Sequence, residues 1–221
     1  MNCIVTAGPT YEELDQVRRL TNFSSGRLGA QLAGQLAARG HVTTLLRGHY
    51  STCREEHRVQ RVLEFTTTDN LRTQLEHLGG PAVGAVFHAA AVSDFTFGKV
   101  FVRSKDNELK EVQSGKFSTR AGTLLAELVP TEKVIGHLRD FFPKAFIVGW
   151  KYEVEGERAE VIARAREQIR DNRTNACVAN GTAYGFGFGL VTPDTAEHFS
   201  HTEELFAALE RMARARMAGA A

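Results

Sequence analysis

The stretch Asn2-Cys3-Ile4-Val5-Thr6-Ala7-Gly8-Pro9 decides the fold, because a short apolar run that breaks on Gly-Pro is how a buried parallel strand ends before a turn. A loop follows it. Across residues 26–39, Leu28, Leu32, Leu36 and Ala37 recur at helical spacing, and Gly40 is placed to end that helix in a left-handed conformation. Residues 42–46 read as the next strand and 62–66 as another. Residues 70–78 read as a helix that Thr68 or Asp69 is positioned to cap.

Further apolar runs at 83–89, 145–150 and 176–179 are separated by helical patterns at 131–142 and 157–171. Strands alternating with helices specify an α/β class, here a Rossmann-like three-layer fold with a mostly parallel sheet. Residues 202–217 form an amphipathic pattern with Leu205, Phe206, Leu209 and Met212 on one face, which predicts a helix packed on the sheet. Tyr184-Gly185-Phe186-Gly187-Phe188-Gly189 reads as a glycine-rich turn into a final strand. Between residues 95 and 123 the pattern breaks into a polar, lysine-rich stretch with no sustained period, read as an inserted flap at about 96–122 within one domain, 1–221.

Composition narrows the function classes. Lysine plus arginine total 27 against 26 for aspartate plus glutamate, so no charge excess draws the chain to nucleic acid or a membrane, and any anion site is local. Cys3, Cys53 and Cys177 lack metal or redox spacing and predict a reducing compartment. With no signal-like segment and no membrane-length apolar run, the expected location is cytoplasmic. His198 and His201 read as exposed residues before a helix, and no metal site of the protein's own is expected.

In an open α/β sheet the ligand crevice lies beyond the carboxyl ends of the strands, so the loops after Ala7, Ala89 and Trp150 are expected to converge. The first contains Ser24-Ser25-Gly26-Arg27-Leu28-Gly29 at a helix opening, where free N–H groups suit a phosphate. A plainer reading of the same residues is that Ser24 or Ser25 caps the helix and Gly26 turns the chain. The dinucleotide fingerprint and the P-loop are both absent. Leu45-Leu46-Arg47-Gly48 offers no ribose-binding carboxylate, which argues against a nicotinamide dehydrogenase.

Thr6-Ala7-Gly8-Pro9-Thr10 followed by Asp15-Gln16-Val17-Arg18-Arg19-Leu20-Thr21-Asn22-Phe23-Ser24-Ser25-Gly26-Arg27-Leu28-Gly29 resembles the signature of the phosphopantothenoylcysteine synthetase family. Ala89-Ala90-Ala91-Val92-Ser93-Asp94-Phe95, Val148-Gly149-Trp150-Lys151-Tyr152-Glu153 and Val178-Ala179-Asn180 resemble three further family motifs, in the same order. The resemblance implies a ligase that joins phosphopantothenate to cysteine through an acyl-nucleotide, releasing pyrophosphate. It implies CTP or ATP as cosubstrate, with magnesium arriving on the nucleotide.

By the same resemblance, Asn22 bonds the acyl carbonyl, and Arg18 grips the substrate phosphate across a homodimer interface, with Arg19 a competing choice. Ala90, Ala91 and Asp94 bind the pantothenate. Gly8, Ser24, Gly26, Gly29, Trp150 and Asn180 hold the nucleotide, although the family commonly has phenylalanine at the position of Trp150. In Gly115-Lys116-Phe117-Ser118-Thr119-Arg120 only the first lysine of a frequent bacterial flap motif is kept, so Lys116 is the candidate for charge stabilisation, with Lys99 and Lys105 as competitors. No decarboxylase domain of the kind fused to many relatives is present in the sequence, so a separate phosphopantothenoylcysteine decarboxylase is the expected partner. The alternatives are a Rossmann-like flavin or nicotinamide oxidoreductase, or a catalytically silent nucleotide-binding module.

Overall fold

The computed structural model describes residues 1–54, 58–104, 106–118, 120 and 122–219. In chain order the elements are β1 (Asn2–Pro9), β2 (Tyr11–Glu13), β3 (Arg19–Thr21), α1 (Arg27–Ala38), β4 (Val42–Gly48), β5 (Arg61–Phe65), α2 (Thr68–His77), β6 (Val83–Ala91) and β7 (Phe95–Arg103). They continue with β8 (Leu109–Glu111), β9 (Thr123–Pro130), α3 (Val134–Phe141), β10 (Phe146–Tyr152), α4 (Arg158–Asn172), β11 (Ala176–Asn180), β12 (Phe188–Val191), β13 (Ala196–Phe199) and α5 (Thr202–Ala218).

The main sheet has the order β13-β12-β11-β10-β6-β1-β4-β5. Its six strands from β11 to β5 are parallel, and β12 and β13 are antiparallel. β1 reads as a continuous apolar run because both its faces are covered. Cys3, Val5 and Ala7 pack with Leu32 and Leu36 of α1 and with Leu205 and Leu209 of α5. Ile4 packs on the other face with Leu71 of α2 and Leu138 of α3. A third cluster seats α4, through Val161, Ala165 and Ile169, on Cys177 and Ala179 of β11. The expected three-layer α/β fold is the observed one.

Topology places the ligand crevice. The chain runs outward from β1 through β4 to β5, returns to β6 on the other side of β1, and then runs outward through β10 and β11. Loops leaving β1 and β6 therefore part to opposite sides of the sheet at the Gly8–Ala90 and Pro9–Ala91 pairs, which opens a gap there.

Several local expectations are corrected. The lysine-rich stretch contains β7 and the short β8, and β7 pairs with β8 and with β9, which follows the stretch, in a separate antiparallel sheet, the arm. Seven of the eight residues of β9 are exposed, so no burial alternation marks it as a strand. The loop after β1 contains a short hairpin, β2–β3. Thr67, not Thr68 or Asp69, caps α2, accepting from the Asn70 N–H. α3 begins at Val134 rather than at residue 131, and the glycine-rich turn leads into two strands, β12 and β13, instead of one. Lys105 lies outside the described residues. Among the described residues no helix is long and apolar enough to cross a membrane.

Candidate active site

The carboxyl ends of β1, β6, β10 and β11 open onto one cleft of about 610 Å³. Its first wall is the loop into α1. Gly26 is the N-cap of that helix, with φ +75° and no side chain of its own to cap it, while the Ser25 hydroxyl accepts from the Arg27 N–H at 3.3 Å. The first turn carries no acidic residue, and its free N–H groups and dipole favour an anion.

Close packing explains why glycine stands there. A Cβ on Gly26 would lie 2.4 Å from Ser51 Oγ and 3.0 Å from the Gly8 nitrogen, and Ser51 Oγ in turn donates to the Ser25 carbonyl at 2.7 Å. Gly8, also left-handed at φ +86°, thus underlies the loop without lining the cleft, whereas Ser24, Gly26 and Gly29 line it.

The second wall is the end of β6. The Ala90 N–H donates to Thr6 Oγ1 at 3.1 Å, and the Ala91 carbonyl accepts from the Thr10 N–H at 3.2 Å. Asn22 reaches over from the first wall. Its Nδ2 donates to the Ala91 carbonyl at 3.3 Å and to the Val92 carbonyl at 3.2 Å. The two acceptors can take one amide hydrogen each, and Oδ1 has no partner among the described residues. At the mouth Asp94 pairs with Lys133, the residue preceding α3, and both side chains are exposed.

The third wall comes from β10, β11 and α4. Trp150 packs against the core beside Leu28, and its Nε1–H is buried with no partner among the described residues, as is the Oδ1 of Asn180. An unpaired buried polar atom costs about 1–3 kcal/mol, so these two atoms are available to a partner that enters the cleft. Gln168 is fixed at both ends of its amide: Nε2 donates to the Trp150 carbonyl at 3.2 Å, and Oε1 accepts from the Cys177 thiol at 2.8 Å. Burial pushes that thiol up to about 12, which keeps it a donor. Lys151 is tied to Glu153 at 3.1 Å; burial opposes ionisation of that carboxyl, but Lys151 and Arg164 hold it below the ordinary carboxylate range.

Besides Gly8, two expected site residues, Arg18 and Lys116, lie outside this cleft within the single chain. Arg18 pairs with Asp15 and donates to the Phe117 carbonyl at 3.1 Å, and the Phe117 N–H donates back to Asp15 at 3.2 Å. Lys116 therefore sits, exposed, on a turn pinned to the Arg18 loop. Lys99 pairs with Glu111 on the arm.

Sequence reasoning missed His88, Lys133 and Gln168, which all line the cleft. A polar residue inside the apolar run of β6 was the available signal for His88. Its ring is buried, with Nδ1 3.0 Å from Thr6 Oγ1, and burial pushes the imidazole down to about 4.

Comparison with known proteins adds to this geometry. Residues 1–220 match the family described as DNA/pantothenate metabolism flavoprotein C-terminal domain. The coenzyme A biosynthesis bifunctional protein CoaBC of Thermococcus kodakarensis is 35% identical over 185 residues, covering 83% of this chain and 42% of that protein. The chain thus spans under half the length of this curated relative. A DNA/pantothenate metabolism flavoprotein from Streptococcus pneumoniae has the same fold, with a TM-score of 0.84 at 23% identity over 97% of this chain and 99% of that one. A Cab2 point mutant in complex with phosphopantothenate-cysteine superposes at 0.75, with 17% identity over 99% and 88% of the two chains.

Proposed function

Starting from this chain's membership of the DNA/pantothenate metabolism flavoprotein C-terminal domain family, we propose that it is a phosphopantothenate–cysteine ligase of coenzyme A biosynthesis that works through an acyl-nucleotide. The observation that carries the reading is the cleft that brings the glycine-led start of α1, the Asn22 amide and the Ala90–Asp94 strand end together at the switch point of the sheet.

Amide formation from a carboxylate at neutral pH requires that an oxygen become a leaving group, and transfer of a nucleotidyl group does this. The α1 start receives the phosphates, with magnesium carried in by the nucleotide. Trp150 and Asn180 border the remainder of the nucleotide, where a ligand acceptor and a ligand donor relieve their unpaired atoms. The Ala91 and Val92 carbonyls now hold both hydrogens of the Asn22 amide. On substrate entry one of them passes to the acyl oxygen, orienting the carboxylate for attack on the α-phosphate and then meeting the negative charge that grows there as cysteine's amine adds to the anhydride carbonyl. The closed walls keep water from the anhydride.

The active form is a homodimer in this proposal. Val17, Leu20, Phe23, Leu109, Leu125 and Leu128 leave apolar surface exposed on the β2–β3 region and the arm. Arg18 then acts from the partner, and because Asp15 ties the two loops together, Lys116 arrives on the same surface. The cosubstrate is proposed to be CTP, and phosphopantothenoylcysteine would pass to a decarboxylase.

Purified chain with 4'-phosphopantothenate, cysteine, magnesium and either CTP or ATP is expected to release pyrophosphate and form the amide. Absence of both products with both nucleotides would sink the assignment. Mixing inactive Arg18→Ala and Asn22→Ala proteins is expected to restore activity if the arginine crosses between protomers.

A further inference from the structure

The cleft is lined from both faces of the sheet, and its lining falls into two parts, here called lobes. Ser24–Gly29 and Trp150 border the lobe under α1, and Trp150 packs into the α1–α5 core. On the opposite side, alternate β6 residues Val86 and Ala90 pack with the α2–α3 core, so His88 between them faces that layer. Thr6 meets it there from β1. Gly149 of β10 lies opposite His88 in register, and a Cβ on it would meet Ile135 at 2.8 Å and Gln168 at 3.1 Å. The second lobe is therefore bounded by His88, Ala90, Val92, Lys133, Ile135 and Gln168.

The hydrogen bonds of Thr6 fix the state of His88. Thr6 is fully buried, and its Oγ1 already accepts from the Ala90 N–H at 3.1 Å. Its own hydroxyl hydrogen needs an acceptor, and His88 Nδ1, 3.0 Å away, is the remaining partner among the described residues. Nδ1 is then unprotonated and Nε2 carries the hydrogen. Among the described residues Nε2 has no partner and is not one of the buried unpaired atoms, and His88 lines the cleft, so Nε2 opens into it.

Resting on the ligase reading, we infer that His88 is a substrate-binding residue whose Nε2–H hydrogen-bonds an oxygen of the pantothenoyl chain in the α3-side lobe. The chemistry of the lobe fits that ligand: Ala90, Val92 and Ile135 face its hydrocarbon, a neutral donor meets an uncharged oxygen, and Lys133 stands at the mouth. A neutral donor also avoids trapping the free carboxylate, which a charged imidazolium would bind too well before activation. The imidazole's depressed affinity for protons keeps it neutral through the physiological range.

Two measurements on the full chain test this. Long-range ¹⁵N correlation spectra of the histidine rings, with His88 assigned by its loss in His88→Gln, are expected to show the Nε2-protonated tautomer; an Nδ1-protonated ring overturns the inference whatever the enzyme does. Calorimetric titration with 4'-phosphopantothenate alone is expected to show about tenfold weaker binding for His88→Met, near-wild-type binding for His88→Gln, and unchanged CTP binding in both. Equal affinity in the Met variant, or equal losses for acid and nucleotide, overturns it. Wild-type protein that binds no phosphopantothenate removes the ligase reading together with the inference, which is a different result from wild type and variant binding alike. If His88→Met fails to fold, Thr6→Val tests the same link and is expected to weaken phosphopantothenate binding without weakening CTP binding.

Discussion

The Asn22 amide donates to the Val92 carbonyl at 3.2 Å, and that bond ties the loop opening α1 across the cleft to the end of β6. A residue whose resemblance-derived role is to touch substrate thus also sets the width of the cleft. Replacing it by alanine removes a donor that orients the carboxylate and frees the loop, so the rate of acyl-nucleotide formation is expected to fall about 10²-fold. Rapid-quench measurement of that intermediate checks it. Hydrogen exchange at residues 22–26 is expected to rise in the same variant, and unchanged exchange would mean that the tie does not hold the loop.

Asp15 is the pin of the arm. It accepts from the Val17 N–H at 2.9 Å, the Arg18 N–H at 2.8 Å and the Phe117 N–H at 3.2 Å, and it pairs with Arg18. Burial opposes its ionisation, but these backbone donors and the Arg18 charge hold its carboxyl below the usual range. The contribution is therefore present above the unfolded carboxylate range and is lost as pH falls through the lower folded value. Asp15→Asn is expected to release the 114–118 turn at neutral pH, read as faster trypsin cleavage after exposed Lys116. Cleavage as slow as in wild type would show that the turn is held by other contacts.

The parallel core was legible in the sequence because β1, β6, β10 and β11 are covered on both faces and so appear as apolar runs. The arm was not, since β9 is exposed along most of its length and a strand without a buried face leaves no periodic trace. Among the site residues, those on strand ends and the first helix could be placed from the order of the motifs. His88 escaped because its meaning depends on Thr6, 82 positions away, and Gln168 because its amide is fixed by Cys177 and Trp150 from two other strands.

Burial of neutral His88 has a thermodynamic signature. Its folded value is about 4, below the ordinary histidine value of about 6.5, so between those limits the unfolded chain binds a proton that the folded chain refuses. Stability therefore rises with pH through this window and is fully present above it, the linkage amounting to about 3 kcal/mol at most. Denaturant unfolding of wild type and His88→Gln from pH 4 to 7 is expected to show a shallower slope in the variant. Parallel curves would mean that the ring is protonated or solvated in the folded state.

Trp150 separates stability from binding. Its Nε1–H is buried without a partner among the described residues, so the indole's polar atom costs the free protein stability that a phenylalanine would not lose. Trp150→Phe leaves a smaller ring beside Leu28, and the lost apolar contact offsets that gain, so unfolding stability is expected to change by less than about 1 kcal/mol. If the nucleotide supplies the missing acceptor, the same substitution weakens nucleotide binding about tenfold while leaving phosphopantothenate binding intact. Calorimetry with CTP and with ATP reads both affinities, and the nucleotide that loses more is the one whose base reaches Nε1. A variant that binds both nucleotides as wild type does, while gaining stability, would assign the orphaned N–H to the core alone and remove Trp150 from the nucleotide site.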